Sequence, residues 1–467
     1  MSDFYYNTTI PFSKLLAKMS YQGIKVDLPR LRELEAEFKG ELKHFEKEIY
    51  YFTGKINLKS SQQVAKALYQ NLRIPNFITD YRENKKTGKW EEYKDEFFTD
   101  KEKQYYQWCI KHKKYPDVTG TATGAVQLNK IKLVNPHPVV DALLEYKQIS
   151  TLLNTFIVGL YKHISPYNRV HPSWYALTAG ARIQCSDPNM ANIPSRSVRG
   201  RKVKSVYIPE PGYSFFEADY SQMELRFMAW FSQDPTMLAA YRDGLDLHAL
   251  TTSKRFDISY EEALKSPKRK VGKETNFLMS YIGGPYILQG LLAKQGLWVT
   301  LKECSEFIDS FFQTYPYVKN LHNTVETKML SEGYVENLFG RKRYFDFKDY
   351  YRAIDKAPNQ KTKNDAEYAL NRAIKEALKQ AVSHVIQGSS TGDYSAFKTV
   401  NAAKIAESMG GRVWNVLYDG IFFEIKDEKA EELQKEIKAY LELPEKPVAI
   451  EHPVDISKAG KSWALLK

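Results

Sequence analysis

Asp219 closes the apolar run Phe215-Phe216-Glu217-Ala218, the pattern of a half-buried strand, and Met223, Phe227, Trp230 and Phe231 follow at the spacing of one helical face. At such a strand-to-helix junction a carboxylate can cap the free backbone N–H groups of the helix. It can also hold a cation, provided a second carboxylate joins it. Asp419 is a candidate partner, placed between Val413-Trp414-Asn415-Val416-Leu417-Tyr418 and Ile421-Phe422-Phe423-Glu424-Ile425. These two β-rich runs predict a hairpin with Tyr418-Asp419-Gly420 at its tip, where the plain reading is an Asp-Gly turn. On neighbouring strand ends of one sheet, the two aspartates would bridge a pair of Mg2+ ions roughly 3.5–4 Å apart. One ion would sharpen an attacking oxygen and the other hold a leaving pyrophosphate; Mg2+ suits this donor set because it is a hard cation that prefers oxygen.

A third element lies at 268–284, where Arg269, Lys273, Phe277 and Tyr281 recur four apart and so share one side of a helix. Two cations followed by two aromatics fit neither a core face nor a solvated charge run. They suit a nucleotide, with cations on a triphosphate and a ring against base and sugar.

The surrounding sequence predicts where these residues are held. A chain of 467 residues is too long for one compact core and calls for several lobes. The formal net charge of +12 favours a polyanionic partner, since Lys and Arg release counterions when they meet phosphates. Cys109, Cys185 and Cys304 have no CxxC spacing, which argues against a zinc site or a disulfide framework and fits a reducing compartment. With no signal-like start and no apolar run of membrane-spanning length, a soluble intracellular protein and no membrane partner are expected. Residues 11–50 read as helical, and 79–116, charged in both signs with aromatics interleaved, as a helical excursion or a lobe gripping phosphates. Residues 119–124 read as a loop, 137–164 as a long amphipathic helix, and 355–365 as a surface loop. Strand signals occupy about 203–219 and helical ones 234–335. Ala459-Gly460-Lys461-Ser462 ends like a phosphate-cradling loop, but the first glycine of that motif would fall on Asp455.

Taken together these segments resemble the family A DNA polymerases, the group typified by bacterial DNA polymerase I. Asp219-Tyr220-Ser221-Gln222-Met223-Glu224-Leu225-Arg226 is similar to the family's first palm motif, Arg269 through Tyr281 to its fingers helix, and Leu417-Tyr418-Asp419 to the strand turn of its second palm aspartate. Residues 181–194, Asp246-Leu247-His248, 333–343 and 385–388 (read as the start of the helix before the last hairpin) match further segments in the same order.

The resemblance implies an α+β, right-hand architecture: an antiparallel-sheet palm with helical fingers and a helical thumb. The corresponding segments are a palm base at 1–30, a thumb with a charged insertion at 31–165, palm at 166–243 and 381–467, and fingers at 244–380. It implies that Asp219, Asp419 and the backbone carbonyl of Tyr220 hold two Mg2+ ions. Lys273 and Arg269 would contact the triphosphate, Lys273 also giving a proton to the leaving pyrophosphate, with His248 and Gln222 beside the nucleotide. Phe277 would lie by the sugar, and as Phe rather than Tyr implies poor use of dideoxynucleotides; Tyr281 would fill the template position until the fingers close. Arg182, Asn189, Asn192, Gln387 and Arg343 would touch primer or template, at the backbone and at minor-groove acceptors where A·T and G·C look alike. Glu224 beside the 2′ position would exclude ribonucleotides. The implied activity is template-directed DNA synthesis by a monomer on primer–template DNA and deoxynucleoside triphosphates, without its own proofreading exonuclease. A separate exonuclease or processivity factor is a further partner to consider, and a minimal polymerase of this kind would suit a virus or mobile element. The alternatives are a catalytically silent DNA-binding protein of the same shape and a polymerase specialised for lesions or RNA templates.

Three departures stand out. The family usually reads His-Asp-Glu where this chain has Tyr418-Asp419-Gly420, and Glu424 is the candidate to compensate. Leu278 and Ile282 stand where glycines are common. The spacing from Gln387 to Asp393 is one residue longer than usual.

Overall fold

A computed structural model describes residues 4–84, 87–96, 102, 104, 122–176, 182–194, 197–444, 448 and 451–466. The N-terminal part is helical over most of 11–50, as expected, but not over 23–27. Helix α1 (Ile10–Gln22) stops at Gly23, whose φ of +62° suits glycine and where a Cβ would lie 2.5 Å from the Val170 carbonyl oxygen. The short strand β1 (Ile24–Val26) follows, and Asp27 then caps α2 (Leu28–Thr53) by accepting from Arg30 N at 3.0 Å.

The charged stretch after it is also corrected. Its first part forms an antiparallel hairpin, β2 (Phe77–Glu83) with β3 (Trp90–Glu96), because alternate β-favouring residues such as Ile78 override the charge count. Residues 105–116, with Cys109, and part of the 119–124 loop lie outside the described residues. Helices α3 (Ala125–Val134) and α4 (Pro138–Thr151) complete this lobe around a core of its own, including Ile49, Leu68, Ile78, Leu128 and Leu143. The helix read over 137–164 continues past α4 as π- and 3₁₀-helical turns.

The centre of the molecule is a four-stranded antiparallel sheet. Strand β4 (Tyr213–Tyr220) leads into α5 (Met223–Ser232), as the change of hydrophobic period predicts. A mostly helical excursion follows, containing α6 (Leu247–Phe256), α7 (Arg269–Met279), α8 (Pro285–Lys294) and α9 (Leu301–Thr314), and later a small hairpin of Tyr334–Glu336 with Lys342–Tyr344. The chain returns through α10 (Gln360–Ile386) and α11 (Ser395–Ser408) to the predicted hairpin, β5 (Arg412–Leu417) and β6 (Gly420–Lys426), and ends near β7 (Val454–Ile456). The sheet order is β5-β6-β4-β7. The expected α+β class with a small antiparallel sheet among helices is thus what the structure has.

Two expectations near α10 change. The surface loop at 355–365 shrinks to four residues, because Asn359 and Thr362 form a capping box that starts α10 early. Residues 385–388 end a helix rather than begin one, and Gly388–Tyr394 form a π-helical turn in which Gly392 N donates to Gln387 O at 3.0 Å. A π turn houses one residue more than an α turn, so it absorbs the extra residue between Gln387 and Asp393.

The N-terminal lobe touches the helical excursion directly. Asp80 is fully buried; its carboxylate accepts from Leu301 N at 2.9 Å and Gln289 Nε2 at 2.5 Å. Nearby, Lys130 pairs with Asp95 at 2.9 Å and lies 4.8 Å from the Tyr286 ring centroid. Among the described residues no helix is long and apolar enough to cross a membrane.

Candidate active site

The strand register sets the two aspartates side by side. Asp219 lies opposite Gly420 on β6 and Asp455 on β7, and Tyr220 N donates to Asp419 O at 3.3 Å. The capping alternative for Asp219 fails, because the N-cap of α5 is Gln222 and no side chain caps that helix. Gln222 and Tyr418 both hold left-handed backbone, with φ of +53° and +57°. For residues other than glycine this costs roughly 1–3 kcal/mol.

A cleft of about 610 Å³ opens over this end of the sheet and brings together Asp219, Tyr220, Gln222, Glu224, His248, Arg269, Lys273, Phe277 and Asp419. An adjoining cleft of about 530 Å³ holds Arg182, Asn189 and Asn192 and shares Thr391 and Tyr418 with the first. Arg343 joins neither; it sits in the small hairpin of Tyr334–Glu336 with Lys342–Tyr344 and donates to Gln380 Oε1 at 2.5 Å.

On the far wall, Arg269 holds both oxygens of Asp246, which also caps α6 by accepting from Ala249 N at 2.7 Å. The Arg269 guanidinium and the capping bond keep the Asp246 carboxyl below its usual range, against the opposing effect of burial. His248 is buried, and burial lowers its pKa to about 4, so the imidazole is neutral at pH 7. Asn276 Nδ2 donates to Leu247 O at 3.3 Å, which orients the amide, and the same nitrogen lies 3.1 Å from His248 Nδ1. His248 Nδ1 is therefore the acceptor, which leaves the ring proton on Nε2.

Tyr281 departs from the predicted stripe, for α7 ends at Met279 and Tyr281 lies just beyond it. There its hydroxyl donates to Glu224 and accepts from Gln387, with Arg182 Nη2 at 3.2 Å. Glu224 Oε1 also accepts from Arg182 at 3.3 Å, Gln387 at 3.1 Å and Thr391 Oγ1 at 3.2 Å. Burial, reinforced by the Glu224 carboxylate, pushes the Tyr281 phenol far up, so it remains a donor.

The sequence reading missed Glu217, Asp455 and Thr391, which also line the main cleft. The two-residue period of a strand would have put Glu217 on the face of Asp219. Glu424, expected to compensate for Gly420, does not reach it. Its carboxylate is bound at the other end of β6, to Arg412 and to Glu210 N at 2.7 Å.

Among the described residues no group of three or more His, Cys, Asp or Glu side chains is arranged as a metal site. Two adjacent carboxylates and a backbone carbonyl nevertheless form an all-oxygen donor set, which fits a hard divalent cation completed by substrate oxygens and water. Burial raises the Cys185 and Cys304 thiols to about 11 and about 12.

A model of DNA polymerase family A matches residues 93–465. DNA polymerase I of Geobacillus stearothermophilus is 33% identical over 338 residues, covering 72% of this chain and 33% of that protein. Thermostable DNA polymerase I of Thermus filiformis is 27% identical over 97% of this chain and 47% of its own length, and Bacillus subtilis DNA polymerase I 29% over 97% and 45%. The chain thus spans less than half the length of these relatives. The POL domain of Pol1 from M. smegmatis, solved in complex with DNA primer-template and dNTP, superposes with a TM-score of 0.74 at 24% identity, over 98% of this chain and 70% of that one. The fold is therefore that of a polymerase I polymerase domain.

Proposed function

This chain belongs to DNA polymerase family A, and we propose that it is a template-directed DNA polymerase, adding deoxynucleotides to a primer 3′ end with two Mg2+ ions. The observation that carries the reading is one cleft in which Asp219 and Asp419 face Lys273, Arg269 and neutral His248, with a second cleft alongside. The sheet then serves as palm, the excursion over 244–380 as fingers, and the lobe over 31–165 as thumb. Asp219, Asp419 and the Tyr220 carbonyl would hold the metal pair, which when bound activates the primer 3′ oxygen and stabilises the leaving pyrophosphate.

This chain's own groups do the rest. His248 donates its Nε2 proton to a phosphate oxygen, and Arg269, kept in place by Asp246, adds a second charge-assisted contact. Lys273 neutralises the triphosphate and supplies a proton to the pyrophosphate. Phe277 packs on the sugar, and Glu224 fills the space a 2′-hydroxyl needs. Tyr281 occupies the template position in the resting state and leaves as the fingers close. Arg182, Asn189, Asn192 and Gln387 line the path of primer and template, the partners proposed with the deoxynucleotides.

Primer extension on a labelled primer–template, with Asp419→Ala beside the wild type, tests this. Extension by the wild type alone is expected. Activity retained in the variant would remove Asp419 from the metal site. No extension from either, with primer–template binding intact, would favour a silent DNA-binding protein.

A further inference from the structure

On β4, Glu217 and Asp219 are two residues apart and share a face of the sheet. Glu217 is 5% exposed, an unusual depth for a carboxylate unless a cation or hydrogen bonds compensate it. It lines the main cleft together with Asp219, Asp419 and Lys204. The decisive contact is at Gly420, opposite Asp219 in the register: a Cβ built there would lie 3.1 Å from Glu217 Oε1 and 3.3 Å from Asp219 Oδ1. The Glu217 carboxylate thus occupies the space that a side chain at position 420 would enter, and it does so beside a proposed metal ligand. A larger residue at 420 would need that carboxylate to give way by a few tenths of an ångström or more.

We propose that Glu217 is a positioning residue for the divalent cations: it accepts hydrogen bonds from water on the ion held by Asp219 and Asp419, and supplies from the central strand the acidic group that position 420 lacks. Glu217 does not replace either aspartate. It adds negative charge and an acceptor just outside the ligand set, where such partners orient bound water and raise cation affinity. This inference rests on the polymerase reading of the cleft.

The test uses the whole chain bound to a dideoxy-terminated primer–template and the next deoxynucleotide, so that no chemistry occurs. Mn2+ binding is followed by electron paramagnetic resonance in the wild type, Glu217→Gln, Gly420→Glu and the double variant Glu217→Ala/Gly420→Glu, each checked for an unchanged melting temperature. Loss of an outer partner typically weakens a metal site about 10–100-fold. Glu217→Gln is expected to weaken Mn2+ binding by about tenfold, and to raise the Mg2+ concentration for half-maximal extension to match. Gly420→Glu, forced into filled space, is also expected to weaken it, and the double variant to recover to within a few-fold of the wild type. Mn2+ affinity in Glu217→Gln equal to the wild type overturns the inference alone, as does a double variant no better than the worse single one. A wild type that neither binds Mn2+ nor extends a primer overturns the polymerase reading, and the inference with it.

Discussion

Replacing Glu224 with alanine should open the nucleotide site to ribonucleotides, and the structure gives the scale. The Glu224 carboxylate is filled by four donors: the Tyr281 hydroxyl, Arg182 Nη2 at 3.3 Å, Gln387 Nε2 at 3.1 Å and Thr391 Oγ1 at 3.2 Å. Arg182, Gln387 and Thr391 hold the carboxylate through Oε1 even when Tyr281 withdraws, so a 2′-hydroxyl would have to overlap it. Overlap with a packed side chain typically costs about 1–3 kcal/mol, which corresponds to roughly 5- to 150-fold discrimination. Glu224→Ala removes that overlap, whereas Glu224→Gln removes the charge and keeps the volume. Single-nucleotide incorporation kinetics with matched deoxy- and ribonucleotides give the ratio of kcat/KM for each protein. The alanine variant is expected to lower the deoxy/ribo ratio by at least about 5-fold on the same grounds, and glutamine by less. An alanine variant with the wild-type ratio would refute the steric argument; a glutamine variant as permissive as alanine would show that charge, not volume, does the sorting.

Stability should fall with acid through buried neutral histidines: burial brings His248 and His322 to about 4 and His452 to about 3. Between the unfolded value near 6.5 and these folded values the unfolded chain binds protons that the folded chain refuses, so stability is full above about pH 6.5 and declines below it. His452 packs against the Phe227 ring at 5.3 Å, so His452→Phe should fit and remove about 2 kcal/mol of the loss between pH 7 and pH 5, measured by urea unfolding at both; an unchanged pH slope would contradict this. Asp80→Ala should strip the acceptor from Leu301 N and Gln289, at roughly 1–3 kcal/mol for each unpaired group. Hydrogen exchange at Leu301 and along β2 should speed up, and unaltered exchange there would mean the lobe and the excursion do not rely on that contact.

Much of the site was readable because its signals are local. Asp219, Asp419 and the α7 stripe each sit in a run whose period names its own element, and the hairpin around Tyr418 formed where the alternation predicted it. What escaped depends on pairing across the fold. Glu217 reads as one polar interruption in an apolar strand, and only the neighbouring strand's Gly420 gives its position meaning. Tyr281 reads as a fourth member of a helical stripe, but the helix ends first, and at Gly283 a Cβ would strike Leu278 Cδ1 at 1.9 Å. The β2–β3 hairpin was hidden because its exposed face carries the charges while Ile78 and Asp80 lie buried on the other.

Two of the departures from the family pattern are accommodated by the fold around them. The extra residue after Gln387 is taken up by a π turn, which keeps Gln387 and Thr391 both on Glu224. Glycine at 420 leaves room for the Glu217 carboxylate of the adjoining strand. Ile282 is the exception that keeps its strain, with φ of +51° on a β-branched residue where glycine would sit freely. It lies next to Tyr281, whose hydroxyl bonds Glu224, Arg182 and Gln387, so a strained backbone and a fully bonded side chain meet at one point of the chain, just past the end of α7.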